Sequence, residues 1–360
     1  MQSRNRGIRI GGYGKILEEE EGMREKAIAH ENQTLKDHLE GVAGLCRKNA
    51  DKIGCANYGE LLGLLHDIGK YSQIFQDYIK SAVGLLDPDN DIEYVDTKEL
   101  KGKIDHSTAG AQFLGNRFSS GNPTERILTQ ILSLCLVSHH SGIIDCLTTN
   151  SEGTVDNFSR RIVKTYEKTH FDEIQNKVEV LERLNFIISE KSFTKPIESI
   201  LKVVFAMSPE KNPLSIVFQF QVGLFVRFLF SALIDADRQN TADSEKTGIK
   251  DNRQNGLYLG WQDLIERLER RLVQFGLPQT PVDNLRVEIA QHCLDAAGGG
   301  KGIYSLTVPT GGGKTLASLR FALHHAKIHD LDRIIYIIPF TSIIDQNADV
   351  VSRLLKITHH

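Results

Sequence analysis

The sequence predicts a mainly α fold, a long all-helical region with the opening of a parallel α/β sheet behind it. Three observations carry this. Apolar residues recur at spacings of three and four through Leu35, Leu39, Val42, Leu45 and Cys46, and again through Ile127, Leu128, Ile131, Leu132, Leu134 and Cys135. That is the period of one buried helix face. A nearly unbroken apolar stretch, Ser215 to Ile234, is interrupted by Gln219, Gln221 and Arg227 and runs straight into Asp235-Ala236-Asp237-Arg238, which predicts a buried core helix rather than a membrane span. From Asn284 the pattern changes. A helix through Asp295 gives way to Gly298–Gly302, a β-like run Ile303–Val308, the loop Pro309–Thr315, a helix to Lys327 and a second β-like run, Arg333–Ile338. Strand, glycine loop, helix and strand open a parallel sheet.

Taken in order, residues 1–29 read as a polar lead-in, with Glu18 to Glu21 a solvated face. Residues 30–245 form a helical domain, 246–283 a connecting segment, and 284–360 the start of the α/β lobe. The connecting segment follows from charge, Asn and Gly enrichment in Thr241–Gly256, and from an amphipathic helix, Trp261–Phe275, broken by Gly276 to Pro281. The acidic loop Asp87–Lys103 separates two parts of the helical domain, and residues 150–200 read as polar helices and loops without chemistry.

The chain has 43 Lys and Arg against 46 Asp and Glu, for a net charge of −3. No global basic balance advertises nucleic acid, so any such site is local. Five cysteines, odd in number and without a C-x-x-C pair, argue against a disulfide framework and a zinc knuckle and place the protein in a reduced cytoplasm. The N-terminus has no apolar core of the signal-peptide kind.

The chemistry is organised around Leu61-Leu62-Gly63-Leu64-Leu65-His66-Asp67-Ile68-Gly69-Lys70. Adjacent residues at a helix end project about 100° apart, so His66 and Asp67 can grip a metal from two sides while the leucines anchor them. His38 shares the apolar face of the first helix. His106 precedes a run of small residues, and His139-His140 end another helical run, where they either compensate the helix dipole or present two nitrogens to a metal. With an aspartate near 237, these are donors enough for two metals, Asp67 being suited to bridge them. Two metals roughly 3.5–4 Å apart activate water and clamp a phosphodiester, and an imidazole-rich set favours Mn, Fe, Co or Ni over Mg.

The second constellation is the loop Thr310, Gly311, Gly312, Gly313, Lys314 and Thr315. Its glycines let backbone N–H groups converge on phosphate at a helix N-terminus, Lys314 reaches the β/γ-phosphates and Thr315 the Mg²⁺ of ATP. Val308 replaces the first glycine of the strict pattern, and the form resembles the phosphate loop of superfamily 2 helicases.

His66-Asp67, with His38 before it and His106, His139-His140 and Asp235-Ala236-Asp237-Arg238 after it, resembles the HD superfamily of metal-dependent phosphohydrolases. With the phosphate loop and Pro339-Phe340-Thr341-Ser342-Ile343-Ile344-Asp345-Gln346 behind it, the chain from about residue 30 onward is similar to the nuclease-helicase of type I CRISPR systems. The resemblance implies an HD-type nuclease that nicks and degrades single-stranded DNA in antiviral defence, and the first part of a RecA-like helicase lobe. It also implies recruitment by an RNA-guided surveillance complex. Carried over, His38, His66, Asp67 and Asp237 hold one metal, and Asp67, His106, His139 and His140 the second. Lys70 orients a phosphate. Asp235 is the runner-up to Asp237, and His30 to His38. No Asp-Glu-x-His box or second lobe follows, so the motor is expected to be cut short and ATP-driven unwinding is not expected of it. Two other functions are weighed: an HD-type nucleotide phosphohydrolase, against which the phosphate loop and the His139-His140 pair speak, and a non-catalytic nucleotide-sensing adaptor with purely structural histidines.

Overall fold

The computed structural model describes residues 25–151, 153–177, 181–190, 192–245, 259–338 and 341–355. Glu18 to Glu21, most of Thr241–Gly256, and Pro339 and Phe340 lie outside the described residues. The chain divides into two units, Met1–Thr247 and Gly248–His360.

The first unit opens with a small antiparallel hairpin of β1 (Ile28–His30) and β2 (Gln33–Thr34). The Thr34 hydroxyl accepts from the Asp37 N–H and starts α1 (Leu35–Asp51). α1 buries Leu35, His38, Leu39, Val42, Ala43, Cys46 and Ala50, so His38 belongs to its inward stripe. α2 (Ala56–Leu65) is buried on every side from Tyr58 to Leu65 and is the central helix of the unit. Its one buried carboxylate, Glu60, accepts from Arg47 Nη1 at 2.6 Å and Arg183 Nε at 2.5 Å. α1 and α2 meet closely because Gly63 has no side chain: a Cβ there would lie 2.4 Å from the Cα of Ala43.

α2 ends at His66, and a single 3₁₀ turn, Ile68–Tyr71, reverses the chain into α3 (Gln73–Ala82). α4 (Ala109–Arg117) follows the acidic loop. α5 (Pro123–Ser138) starts from a capping box between Asn122 and Glu125 with Pro123 in the first turn, and ends on His139. A second hairpin, β3 (Leu147–Asn150) with β4 (Gly153–Asp156), is a small insertion in a region that is otherwise mainly helical, as the sequence predicts. It is exposed and adds nothing to the core. The short helix Phe171–Lys177, then α6 (Leu181–Ser189) and α7 (Lys195–Met207), complete the wall.

The long apolar stretch becomes α8 (Ile216–Glu245), which packs on α1, α2 and α5. By length and composition alone it could cross a membrane. Two expectations about it are corrected. Only its later half is core, through Phe225, Val226, Leu229, Ala232, Leu233 and Ala236, whereas Phe220 is 62% exposed and Ile216 84%. The helix also runs past Ile234 to Glu245, so Asp235 and Asp237 sit inside it rather than at its end.

The second unit comprises α9 (Trp261–Val273), α10 (Pro281–Ala297), α11 (Lys314–Ile328) and α12 (Thr341–Leu355) around Ile265, Leu268, Leu319, Leu323 and Leu355. The amphipathic helix assigned above to a connecting segment is thus one wall of this core. The expected strands are not formed: Ile303–Val308 and Arg333–Ile338 carry no regular structure and pair with no strand among the described residues. A parallel strand needs ladder partners and cover on both faces. These two runs do not bond each other, and Ile303 and Ile337 are almost wholly exposed.

Gly63→Val places a branched side chain against the α1 backbone, and we expect a loss of about 1–3 kcal/mol in urea unfolding followed by circular dichroism. Gly44→Ala on α1, where an added Cβ meets nothing within 4 Å, is expected to be neutral or slightly stabilising.

Candidate metal centre

Five segments deliver their polar residues to one place. α1 presents His38, the C-terminal end of α2 gives His66 and Asp67, the 104–108 loop gives His106, the end of α5 gives His139 and His140, and α8 gives Asp237. The apolar run before His66 drives α2 through the core, so its polar terminus emerges inside the unit rather than at the surface. His38 and His66 are fully buried, and Asp67 is 2% exposed.

The imidazoles are oriented from behind. His38 Nδ1 lies 2.9 Å from Asn240 Oδ1, His66 Nδ1 2.8 Å from the Gly63 carbonyl, His139 Nδ1 2.6 Å from the Leu136 carbonyl, and His106 Nδ1 3.2 Å from the Ile104 carbonyl. A carbonyl can only accept, so each Nδ1 carries the proton and each Nε2 turns a lone pair inward. The Nε2 atoms of His38 and His66 then face each other at 3.2 Å, and those of His106 and His140 at 2.6 Å. Opposed lone pairs at such separations call for a cation between them.

Asp67 divides this assembly. Its Oδ2 lies 3.6 Å from His38 Nε2 and 3.5 Å from His66 Nε2, while Asp237 Oδ1 is 3.5 Å and 3.6 Å from the same two nitrogens. Its Oδ1 lies 3.2 Å from His139 Nε2, 3.7 Å from His140 Nε2 and 3.8 Å from His106 Nε2. One carboxylate oxygen thus addresses each imidazole set. Within them, His38, His66 and Asp67, and Asp67, His139 and His140, bring one donor atom each within 4.8 Å of one another, the spacing a metal ion requires.

Charge follows the same plan. Burial opposes ionisation of Asp67, but the Lys70 charge and the imidazoles of His66, His139 and His140 around it outweigh this and hold the carboxyl well below its usual range. Lys70 Nζ is 2.8 Å from Asp67 Oδ2 and lies over the Phe75 ring. Burial of Asp237 is likewise outweighed by His66 and His38, which bring it down to about 2. Burial lowers His106 to about 4 and also lowers His139, leaving both neutral and able to donate a lone pair. Burial works against the charge of His66 too, yet Asp67 and Asp237 together raise it.

The two runner-up residues stand elsewhere. Asp235 accepts from Asn49 Nδ2 at 3.1 Å, because residues two apart on a helix point about 200° apart. His30 packs edge-on against His38 and reaches Thr241 Oγ1 at 3.2 Å. In the second unit, Gly311 and Gly313 adopt left-handed φ of +83° and +80°, and Gly313 caps α11, of which Lys314 is the first residue. Thr310 precedes this turn, Gly312 is buried within it, and Thr315 Oγ1 donates to Asn347 Oδ1 at 3.2 Å.

Residues 26–208 match the family model described as Cas3, HD domain. The chain belongs to the Cas3 HD-domain family. A Cas3-type HD domain is a metal-dependent nuclease of CRISPR systems, and the imidazole and carboxylate cluster fits metal binding. The matched span of this Cas3-type domain holds every residue of the cluster except Asp237, which α8 adds from beyond it. No curated protein matches the chain.

Three contributors carry no mark in the sequence motifs. Asn240 lies one turn after Asp237 on α8, and its Oδ1 also accepts from Gln33 Nε2 at 2.9 Å. That i, i+3 spacing from Asp237 is the one signal that could have found it, and only once Asp237 was placed. The Phe75 ring lies tilted against His106 with centroids 4.8 Å apart, and Gly69 lets the 3₁₀ turn touch the His106 backbone, where a Cβ would lie 2.2 Å from the carbonyl oxygen.

Metal addition is expected to raise the melting temperature: about 2.7 kcal/mol at a hundredfold excess over Kd. Scanning calorimetry with Mn²⁺ or Ni²⁺ should register it, and His66→Ala should abolish it. Asn240→Ala, which frees the His38 ring without removing a donor, is expected to weaken metal affinity about 10–100-fold in the same titration.

Proposed function

We propose that the protein is the single-stranded DNA nuclease of a CRISPR interference nuclease-helicase, cutting within strands and from their ends in antiviral defence. The observation that carries the reading is the split of Asp67, one oxygen toward each imidazole set. In this reading His38, His66, Asp67 and Asp237 hold one divalent ion and Asp67, His106, His139 and His140 a second. When bound, such a pair supplies an activated water and charge stabilisation for both the attacking and leaving oxygens of a phosphodiester. The imidazole-rich donor set selects Mn, Fe, Co or Ni.

The chain's own residues do the rest. Lys70, held against Asp67 and buried with it, keeps the bridging carboxylate ionised and offers an ammonium to a non-bridging phosphate oxygen. The basket is recessed between helix ends, which excludes a stacked duplex and admits a strand with splayed bases. Thr310 to Thr315, at the N-terminus of α11, form the ATP and Mg²⁺ site of the motor part. The partners of the complete assembly are single-stranded DNA and an RNA-guided surveillance complex, and the five free cysteines accord with a cytoplasmic location.

Circular single-stranded DNA incubated with the full chain and Mn²⁺ or Ni²⁺ should be linearised and then degraded. Asp67→Ala should abolish this; cutting that survives the substitution would sink the assignment. Phosphate release from free nucleotides without any cutting of DNA would assign the centre to nucleotide hydrolysis instead. Lys70→Met should keep its metal, by elemental analysis, while kcat falls about 10²–10³-fold.

A further inference from the structure

Beside the His106 loop lies a cavity of about 320 Å³ that the proposed reaction does not use. Its wall includes Ile74, Lys103, Ile104, Asp105, Lys164 and Lys168. It shares its chain with the mount of the metal centre: the Ile104 carbonyl accepts from His106 Nδ1, and Phe75, next to Ile74, packs at a tilt against the His106 ring. An occupant of the cavity therefore lies alongside whatever occupies the centre.

Its charge is one-sided. Asp105 is engaged by Lys164 Nζ at 2.5 Å, and accepts from the Thr108 N–H at 3.1 Å and the Thr108 hydroxyl at 2.8 Å. Lys103 and Lys168 form no ion pair with a carboxylate among the described residues, and both are exposed at the rim. Two ammonium groups thus stand over a concave wall in which Asp105, the one carboxylate among the described lining residues, is already paired with Lys164. Flexible point charges without fixed partners suit a mobile phosphodiester backbone.

We propose that this cavity is a phosphate subsite for single-stranded DNA, in which Lys103 and Lys168 bind a backbone phosphate next to the one presented to the His and Asp basket. The inference rests on the nuclease reading and adds to it the direction of the strand across the surface, past the 104–106 segment toward the helix Phe171–Lys177. Lys164 orders the wall by holding Asp105, and Lys103 and Lys168 bind the strand.

The test uses the full chain carrying Lys103→Gln with Lys168→Gln, and a second version with both changed to Glu. Binding of a fluorescent oligothymidylate is followed by anisotropy from low to high KCl in chelator, so that no cutting intervenes. Removing two cations should flatten the log–log salt slope by about 1.4 and weaken binding roughly tenfold near 0.1 M salt. The Glu version should weaken it further. Metal-loaded hydrolysis of thymidine 5′-p-nitrophenyl phosphate, whose single phosphodiester cannot reach a second subsite, should be unchanged in both versions. Unchanged slope and affinity overturn the subsite, as does equal loss of the small substrate, which would make the lysines structural. A wild-type protein that shows the slope difference yet cuts neither substrate overturns the nuclease reading and supports the subsite as a strand-binding element.

Discussion

A carboxylate shut away from water governs this structure. Asp67 is buried with its charge, and the penalty for placing such an ion in protein interior is several kcal/mol unless its partners are near and well aimed. Lys70 is one turn away, and three imidazoles crowd Oδ1 while two crowd Oδ2. The partners come from four stretches of chain, α1, the end of α2 with the turn after it, the 104–108 loop and the end of α5, so satisfying one side chain fixes these relative to one another. The carboxylate that organises the centre also serves as a structural tie for the first unit.

The backbone carbonyls at helix ends form the second layer of this plan. Gly63 and Leu136 sit three residues before His66 and His139 and take the Nδ1 protons of those rings. A histidine at the C-terminal end of a helix reaches a free carbonyl of the last turn without any added residue. This economy explains why two of the candidate ligand positions fall where their helices stop.

Much of the centre was legible in the sequence for that reason. His38 lies in a stripe of period 3.6, His66-Asp67 follows a run of leucines, and His139-His140 closes an amphipathic segment, so each could be placed on an element before its partners were known. The choice between Asp235 and Asp237 was not legible from spacing, because it depends on which side of α8 meets α1. Asn240 was hidden for the same reason: a single amide has no periodicity. The two hairpins are too short to alternate visibly. The β-like runs at 303–308 and 333–338 misled because local β preference becomes a strand only when a neighbour supplies the ladder, and among the described residues none does.

The position of Asp237 within α8 makes helix length as consequential as composition. One residue inserted between Leu229 and Asp235 would turn everything after it by about 100° and advance it by about 1.5 Å. Ala236 would then stand in the slot facing His38 and His66, and Gln239 in the slot that steadies His38. A single change of length would remove a carboxylate and its supporting amide together while leaving every original residue in the chain. The helix therefore acts as a phase-setting shaft, more permissive of substitutions on its outward face than of any gain or loss of a residue.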